Sequence, residues 1–399
     1  MQTLTSSQVS SVNLPIRMCI IHDHPHHYRL PLFEALGRSF VLSLIYTSNT
    51  GGDRKGLELP PADGYGLFFL TAKSYGDVLG HIVPSVVAFV KCMFRLFAIR
   101  PSVLILHGYS NPACWAGWVF ANVYGAKAIV WGESNKYDLP RKAPLEFVKR
   151  VFLSRCQQAH VYGRSAKSYF VDLGMPEKRV FITQPTIVDS FYAGKPIERV
   201  VTPSGCDTKR VLYVGRFARE KNLVPLLDSF SEHLRHFQNS KIDFTLVGFG
   251  PLDDELRRRV KMADLRSKCH VRGKVQPRDL PALYAEFDLL ILPSTYEPYG
   301  LVVLEAMFSG LAVAVSTQSG CVADLVTSEN GFTFDPWRKD AMCATWRAIE
   351  STTPDLISRM KAASVQRASQ FTTNHSADLT IKAVNQLLAR EKMVPEGDR

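Results

Sequence analysis

The sequence predicts an α/β protein built from two doubly wound parallel sheets, one in each half of the chain. Its 399 residues suffice for two domains of ordinary size. Short continuous apolar runs alternate with longer helical segments, which is typical of strands covered on both faces. The alternation restarts after a stretch rich in proline, glycine and cations at 189–208. We therefore expect an N-terminal domain at 1–190, a linker at 191–208, a C-terminal domain at 209–370, and a helix with a tail at 371–399.

Each predicted element follows from a local pattern of apolar residues. Strands are predicted at Arg17–Ile21, Phe40–Tyr46, Val103–His107, Ala128–Trp131, Ala159–Tyr162, Val180–Thr183, Arg210–Val214, Asp243–Val247, His270–Arg272, Leu289–Leu292 and Ala312–Ser316. Helices are predicted at Leu30–Leu36, Ile82–Ile99, Trp115–Val123, Phe147–Arg155, Ser165–Leu173, Asn222–Phe237, Leu252–Lys261, Leu280–Ala285, Leu301–Ser309 and Phe371–Lys392. Ligands of doubly wound sheets bind beyond the carboxyl ends of the strands, so the residues after each strand are the candidates for a site.

The composition is that of an ordinary globular protein. Hydrophobic residues make up 46% and charged residues 21%, which excludes disorder and low-complexity fibres. The net charge of +11 is uneven, because residues 1–200 carry +9 and residues 201–399 carry +2. A basic half indicates either an anionic partner (nucleic acid, an acidic lipid surface or a phosphorylated substrate) or an ordinary solvated surface. The sequence shows no basic ribbon interleaved with aromatic residues, which argues against nucleic acid.

Cysteine usage and hydropathy predict a cytoplasmic protein. The eight cysteines form no C-x-x-C pair, so neither a zinc ribbon nor a thioredoxin motif is expected. Their spread suits a reduced protein, although an even number is compatible with disulfides. The polar start lacks the order of a signal peptide. The most apolar segment, Ile82–Ile99, contains Lys91 and Arg95 and is not expected to span a bilayer. It is either a core helix or a helix at the inner face of the membrane.

Two candidate clusters follow the first two strands of the second half. Gly215 permits a tight turn, and Arg216 and Lys221 stand in one loop before a helix. A guanidinium fork and an ammonium group can clamp a diphosphate, although basic residues at a helix start are also common on plain surfaces. After the next strand, Gly248 and Gly250 either let a ligand approach the backbone or simply make a tight turn.

The third cluster is the segment 294–306, S-T-Y-E-P-Y-G-L-V-V-L-E-A. Pro298 suits the first turn of a helix, and Gly300 leaves backbone N–H groups open to an anion. Glu305 lies within an apolar helix and needs a partner. If helix runs throughout, Glu297 and Glu305 lie about 12 Å apart. That distance is too large for two carboxylates flanking one glycosidic bond. It suits the ends of an extended ligand, with a sugar, a diphosphate and a ribose in a row.

The run E-P-Y-G-L-V-V-L-E-A resembles the signature of the retaining family 4 glycosyltransferases of GT-B fold. The resemblance is supported, in order, by G-R-F-x3-K, by L-V-G-F-G-P, and by S-G-C with N-G further on. It covers residues 207–370 well and reaches the strand at 101–107 in the first half. It implies two Rossmann-like domains that face an interdomain cleft, and a helix at Phe371–Lys392 that packs back on the N-terminal domain.

The resemblance implies a donor site in the second half. By this resemblance, Arg216 and Lys221 bind the donor diphosphate. Glu297 hydrogen-bonds the transferred sugar, and Glu305 holds the nucleotide ribose. The other implied donor-site residues are Gly215, Gly248, Gly250, Tyr299, the backbone N–H groups of Gly300 and Leu301, and Arg272 in the stretch that packs on the base.

The first half is expected to bring the acceptor. P-S-V-L-I-L-H ends in His107, which the resemblance places at the reacting centre; a structural histidine is the alternative. Glu133 follows the next strand and is a second candidate. At 22–29, H-D-H-P-H-H-Y-R replaces the glycine-rich loop of the family, and its spacings match no common zinc pattern. We interpret it as an acceptor or diphosphate loop, with His27 and Arg29 as candidate contacts.

The predicted function is transfer of a sugar from a nucleoside diphosphate sugar to a hydroxyl acceptor, with retention of anomeric configuration. Polysaccharide, lipopolysaccharide or glycolipid biosynthesis is the expected setting. The sequence contains no D-x-D motif, so we expect no metal and no cofactor. Expected partners are the donor, a hydroxyl acceptor (free or lipid-linked) and an anionic membrane surface, but not nucleic acid. The alternatives are an epimerase-like or phosphorylase-like enzyme of the same fold, and a non-catalytic nucleotide-sugar-binding protein.

Overall fold

The computed structural model describes residues 15–48, 65–71, 82–136, 143–192, 208–261 and 265–392. These residues form two compact units. One takes the described part of Met1–Pro25 together with Leu36–Ile129. The other takes His26–Ala35 together with the described part of Val130–Arg399, so residues 130–190 group with the second half of the chain. Most of the linker predicted at 191–208 lies outside the described residues.

Seven strands form the first sheet. They are β1 (Arg17–His22), β2 (Val41–Ser48), β3 (Gly66–Thr71), β4 (Val103–His107), β5 (Lys127–Gly132), β6 (Gln158–Val161) and β7 (Val180–Ile182). Their order is β3-β2-β1-β4-β5-β6-β7. β1 pairs in parallel with β2 and with β4, and Arg17 lies opposite Val41. All four residues from Met18 to Ile21 are at most 1% exposed, as expected of a strand covered on both faces.

Six strands form the second sheet. They are β8 (Lys209–Arg216), β9 (Ile242–Phe249), β10 (Cys269–Arg272), β11 (Leu289–Leu292), β12 (Ala312–Ser316) and β13 (Gly331–Phe334). Their order is β10-β9-β8-β11-β12-β13, and every neighbouring pair is parallel. The prediction of two doubly wound parallel sheets is confirmed.

Helices connect the parallel strands. They are α1 (Leu30–Gly37), α2 (Ile82–Ile99), α3 (Pro112–Tyr124), α4 (Ala143–Ser154), α5 (Gly163–Asp172), α6 (Asp189–Tyr192), α7 (Leu223–His236), α8 (Asp253–Val260), α9 (Leu280–Ala285), α10 (Leu301–Phe308), α11 (Val322–Leu325), α12 (Lys339–Ser351), α13 (Pro354–Ala368) and α14 (Thr373–Lys392). At the start of α3 the Asn111 side chain accepts a hydrogen bond from the Ala113 N–H, and Pro112 follows as the first helical residue. Among the described residues, no helix combines the length and apolar character needed to cross a membrane.

The sequence prediction missed six of these strands and helices in the described chain. These are the edge strands β3 and β13 and the four helices α6, α11, α12 and α13. By contrast, α2, α9, β4, β11 and β12 have the predicted bounds. The α6 helix occupies the first residues of the stretch from which the linker was predicted.

The last helix, α14, lies against strands of the first sheet. Gln158 in β6 donates from Nε2 to the Ala383 carbonyl at 2.9 Å. Ser376 donates from Oγ to the Thr183 carbonyl, just after β7, at 2.7 Å. These bonds connect segments about two hundred residues apart in the chain.

Candidate functional site

The second sheet reverses its winding direction between β8 and β11. β9 and β10 lie on one side of β8, and β11, β12 and β13 lie on the other. At such a switch point the two loops at the carboxyl ends of the strands diverge and leave a crevice for a ligand. The loop after β8 carries Lys221, and the loop after β11 carries Glu297. The sequence-predicted donor residues therefore meet at this point.

Lys221 and Glu297 form an ion pair at the switch point, with Nζ and Oε2 2.5 Å apart. Ser294 Oγ donates to the same carboxylate oxygen at 3.3 Å. The two side chains are only 17% and 14% exposed, so solvent screens their interaction weakly. The loop backbones are also joined, because the Thr295 N–H donates to the Glu220 carbonyl at 2.9 Å. The structure thus brings together the ammonium and the carboxylate assigned to the donor diphosphate and sugar.

Arg216 lies at the rim of this arrangement, and its side chain is 55% exposed. Its Nη2 donates to Glu220 Oε1 at 2.5 Å. Burial raises the pKa of Glu220, but the hydrogen bond and charge of Arg216 outweigh burial and hold that pKa below its ordinary value. Gly215 leaves room for the Tyr213 hydroxyl, which donates to the Arg216 carbonyl at 2.9 Å. A Cβ at position 215 would lie 2.7 Å from that hydroxyl.

The glycines after β9 bring two loops of the same chain into close contact. A Cβ at Gly248 would lie 1.9 Å from the Gly215 carbonyl oxygen, and one at Gly250 would lie 2.5 Å from the Phe217 carbonyl oxygen. A side chain at either position would therefore displace backbone. The tight-packing alternative accounts for both glycines. Their contact with a nucleotide stays a prediction.

The helix α10 begins at Leu301, and the prediction that Pro298 lies in its first turn is wrong. Gly300 has φ 101°, a left-handed conformation that breaks the helix, so Glu297 and Pro298 lie in a loop. The 12 Å carboxylate spacing assumed a continuous helix and does not apply. Gly300, the residue before α10, has no side chain to cap the helix, and the Val303 N–H donates to the Gly300 carbonyl at 2.9 Å, so an anion could meet only the other N–H groups of the first turn.

Two other predicted donor residues lie in different surroundings. The Tyr299 side chain is 3% exposed and meets Tyr162 edge to face, with ring centres 6.1 Å apart. It is part of the interior, so a donor could contact only the backbone of this residue. Arg272 ends β10 on the surface, where Nη1 donates to Glu286 Oε2 at 2.8 Å. Its contact with a nucleotide base stays a prediction.

Glu305 has the partner that its apolar helix requires. Tyr284 donates from its hydroxyl to Glu305 Oε2 at 3.0 Å, and the neighbours Leu304 and Ala306 are fully buried. Burial raises the pKa of Glu305 to about 7, because the hydrogen bond from Tyr284 offsets burial only in part. Near neutral pH this carboxyl group can therefore both accept from and donate to the hydroxyls of a ribose.

The raised pKa predicts that Glu305→Gln stabilises the ligand-free protein more at pH 8 than at pH 5. The folded protein retains the Glu305 proton up to about pH 7, whereas the unfolded chain loses it near the ordinary value of 4.5. Stability of the wild type therefore falls as pH rises through this interval. Glutamine has no proton to lose in this pH range, so it should add on the order of 1–3 kcal/mol to the free energy of unfolding at pH 8. Urea denaturation of both proteins at the two pH values measures the difference; a gain that is equal at both would contradict this account.

In the first unit, His107 ends β4 within a cluster of histidines around one carboxylate. The rings of His107 and His22 stack with centres 3.7 Å apart, and His107 Nδ1 lies 3.9 Å from Asp23 Oδ1. His24 Nδ1 lies 3.0 Å from Asp23 Oδ2. Burial raises the pKa of Asp23, but hydrogen bonds from His22 and His24 and the charges of His22 and His107 hold it well below its ordinary value. His107 is 20% exposed.

The two acceptor-side candidates Arg29 and Glu133 are partners of each other. They form an ion pair in which the Arg29 side chain is 1% exposed and Glu133 is 31% exposed. The guanidinium lies 4.8 Å from the ring centre of Trp131 and 5.9 Å from that of Tyr162. Arg29 therefore lies in the interior, where an acceptor or diphosphate does not reach it without displacing Glu133. The third candidate, His27, begins the turn at His27–Arg29, and its side chain lies outside the described part of the structure.

Sequence reasoning missed an interior contact of the Glu297 loop and a side-chain partner of the α5 backbone. Asn135, which is fully buried, donates from Nδ2 to the carbonyls of Glu297 and Pro298. Asp324 accepts from the Arg164 N–H at the start of α5, at 3.1 and 3.3 Å. The run W-G-E-S-N follows a buried strand, so its Asn135 could have been predicted as a site residue. The prediction chose Glu133 of the same run instead.

The chain is similar in sequence to a family of known proteins. Residues 195–366 match the family model described as Glycosyl transferases group 1. Mannosylfructose-phosphate synthase of Agrobacterium fabrum is 27% identical over 228 residues, which are 52% of this chain and 50% of that protein. The chain thus spans half the length of this curated relative.

Two solved structures resemble nearly the whole chain. Sucrose-phosphate synthase from Thermosynechococcus elongatus has a TM-score of 0.76 at 18% identity, covering 94% of this chain and 100% of that one. The Anabaena protein Alr3699/HepE, solved in complex with UDP, has a TM-score of 0.72 at 16% identity, covering 93% and 100%. At these identities the likeness shows a shared fold.

Proposed function

We propose that this chain, whose residues 195–366 match the glycosyl transferases group 1 and whose fold is GT-B, transfers a sugar from a nucleoside diphosphate sugar to a hydroxyl group. One observation carries the proposal. The buried pair Lys221–Glu297 stands at the switch point of the second sheet, where doubly wound folds bind their ligands. A cation for a diphosphate and a carboxylate for sugar hydroxyls are adjacent there.

The charge that develops in this reaction lies on the leaving nucleoside diphosphate. Lys221 has three N–H donors, so it can keep its bond to Glu297 and still donate to a phosphate oxygen. Arg216 at the rim can exchange its exposed bond to Glu220 for a second phosphate contact. Glu297, as an acceptor, can orient hydroxyls of the transferred sugar. Groups held in place before the reaction stabilise that charge without reorganising.

We include anomeric retention and metal independence in the proposal. In a front-face step, the bond from the anomeric carbon to the phosphate oxygen breaks and the acceptor oxygen bonds on the same face. The acceptor proton passes to the leaving phosphate oxygen. Metal independence is supported by the sequence, which has cations but no D-x-D motif for the diphosphate. The resemblance to retaining family 4 enzymes supports retention.

A screen of donors tests the proposal. UDP-, GDP- and ADP-sugars are added to the protein in EDTA, and thermal stability is recorded for the wild type and Glu297→Ala. One nucleotide series should stabilise the wild type by about 2.7 kcal/mol at a concentration a hundredfold above its Kd. Stabilisation by none of the three series would contradict the proposed donor site.

The alternatives make different predictions in the same assay. A non-catalytic nucleotide-sugar-binding protein would be stabilised but would release no nucleoside diphosphate. An epimerase-like enzyme would convert the donor sugar without an acceptor, and a phosphorylase-like enzyme would require inorganic phosphate to release sugar. The Lys221–Glu297 pair favours the transferase, because a clamp on the diphosphate stabilises its departure.

We further propose a polysaccharide, lipopolysaccharide or glycolipid acceptor, met at an anionic membrane surface. The support is one face of α2, which carries exposed apolar side chains. Val86, Val90 and Phe94 follow one another at helical spacing and are 55%, 43% and 71% exposed. Lys91 and Arg95 flank this face, and the helix has no acidic residue. An apolar face bordered by cations is typical of helices that lie in a membrane interface.

The α2 face predicts the effect of removing its apolar side chains. Val90→Ser with Phe94→Ser should lower sedimentation with phosphatidylglycerol-containing vesicles by about tenfold or more, because it removes two insertable side chains. Val365→Ser is the matched control, since Val365 is 44% exposed on α13. Equal sedimentation of wild type and double variant would contradict membrane binding through α2.

A further inference from the structure

A buried side-chain amide bonds to the backbone of the Glu297 loop. Asn135 follows β5 and is fully buried. Its Nδ2 donates to the Glu297 carbonyl at 3.0 Å and to the Pro298 carbonyl at 2.9 Å. Asn135 lies 162 and 163 positions before these two residues in the chain. Its amide therefore bonds, over a long sequence separation, to the peptide that carries the proposed sugar-binding carboxylate.

Asn135 is one of two donors to the Glu297 carbonyl and the donor to the Pro298 carbonyl among the described residues. The left-handed Gly300 starts α10 only at Leu301, so the Glu297 and Pro298 carbonyls accept no bond from a regular helix. The Gly320 N–H donates to the Glu297 carbonyl at 3.0 Å. For the Pro298 carbonyl, Asn135 is the donor that the structure gives among the described residues. A carbonyl withdrawn from water without a donor costs free energy, so Asn135 stabilises the loop in this conformation.

Asparagine is the residue type that this geometry requires. Its Nδ2 carries two hydrogens and no charge, which matches two adjacent carbonyl oxygens. Aspartate has no hydrogen to donate when ionised, and serine has one. The space is also restricted, because a Cβ at Gly320 would lie 3.0 Å from Asn135 Nδ2 and 2.0 Å from the Pro298 carbonyl oxygen. The site therefore admits a short, neutral side chain with two donors.

We propose that Asn135 is a positioning residue that holds Glu297 in register with Lys221 for sugar transfer. The inference rests on the proposed function, because it gives Asn135 its effect through Glu297. One side of the loop is fixed by the side-chain bonds from Lys221 and Ser294 to the Glu297 carboxylate. The other side is fixed by Asn135 at the Glu297 carbonyl. Without Asn135 the carboxylate keeps its partner but loses its fixed position relative to a bound sugar.

Loss of position should affect turnover more than nucleotide binding. The diphosphate contacts assigned to Lys221 and Arg216 do not involve Asn135, so affinity for the bare nucleoside diphosphate should change less than twofold. Small displacements of a group that acts on the reacting centre cost about 10²-fold in rate. Asn135→Ala should therefore lower kcat for nucleoside diphosphate release by about 30- to 100-fold. Asn135→Ser, with one donor hydrogen, should show an intermediate loss.

A double-mutant cycle with Glu297 tests the inference. Release of nucleoside diphosphate from the donor that binds is measured for the wild type, Asn135→Ala, Glu297→Gln and the double variant. If Asn135 acts through Glu297, the double variant should be no slower than Glu297→Gln alone. Independent, multiplied losses would overturn the inference, as would a kcat unchanged in Asn135→Ala. A Glu297→Gln protein with wild-type turnover would instead contradict the proposed function.

A matched control separates positioning from general stability. Gln158 is also a buried amide whose Nε2 donates to a distant carbonyl, that of Ala383 in α14. Gln158→Ala should lower the melting temperature with little change in kcat. If Asn135→Ala does not fold, the cycle is run with Asn135→Ser at a temperature where circular dichroism shows it folded. Equal kcat losses in Gln158→Ala and the Asn135 variant would overturn the positioning role.

Discussion

Replacement of Lys221 by methionine is expected to lower the rate of nucleoside diphosphate release by about 10²- to 10³-fold. The ammonium group is the largely buried cation of the proposed donor site and pairs with Glu297 at 2.5 Å. Methionine has similar length but cannot stabilise the charge that develops on the leaving diphosphate. It also leaves Glu297 without its cation at a position that is 14% exposed. Steady-state kinetics with the donor identified by the screen measure both kcat and KM.

The loop itself provides the control for this prediction. Arg219 lies two residues before Lys221 in the same turn and is exposed. Arg219→Met also removes one positive charge from this loop, but it leaves the Lys221–Glu297 pair intact. Its rate should stay within twofold of the wild type. A Lys221→Met enzyme as fast as Arg219→Met would show that charge at Lys221 does not act on the diphosphate.

Replacement of Glu133 by alanine is expected to lower the free energy of unfolding by about 3–5 kcal/mol. Arg29 is 1% exposed and packed near Trp131, and Glu133 is its ion-pair partner. Without the carboxylate, the buried guanidinium loses the ion-pair partner that offsets the cost of its burial. Urea denaturation followed by circular dichroism measures the loss, which should appear in the midpoint while the slope with denaturant stays constant.

The double variant decides the cause of that loss. Arg29→Met with Glu133→Ala removes the charge together with its partner and keeps a long apolar side chain beside the aromatic rings. It should recover most of the lost stability, because replacing both members of a buried pair is often close to neutral. If the double variant is as unstable as Glu133→Ala, the cost comes from lost packing around residue 133 and not from a buried charge.

The sequence predicted the central strands because their burial is visible in a local window. All five residues of β12, Ala312–Ser316, are buried, and the run is apolar up to its final serine. The edge strand β3 was missed because it is only partly covered, with Phe69 40% exposed. The helix α12 did carry a readable pattern, since Met342, Trp346 and Ile349 are buried at helical spacing.

The donor site was predictable where the chemistry is local in the chain. Lys221 and Glu297 each lie just after a strand of the second sheet, and parallel strands bring such residues to one edge. Partners that depend on long-range packing were not predictable in this way. The bonds of Tyr284 to Glu305, of Arg29 to Glu133 and of Asn135 to the Glu297 loop join residues that no spacing rule relates. The start of α10 at Leu301 was predicted, but the left-handed Gly300, which leaves Pro298 outside the helix, was not.

The central claim is that the Lys221–Glu297 site transfers a sugar without a metal ion. The most direct test follows nucleoside diphosphate release and the anomeric configuration of the product by NMR, in EDTA, for the wild type and Glu297→Gln. The account predicts release in EDTA with the donor's anomeric configuration retained, and a loss of about 100-fold or more in Glu297→Gln. Release that requires a divalent cation, or equal rates in the two proteins, would contradict it.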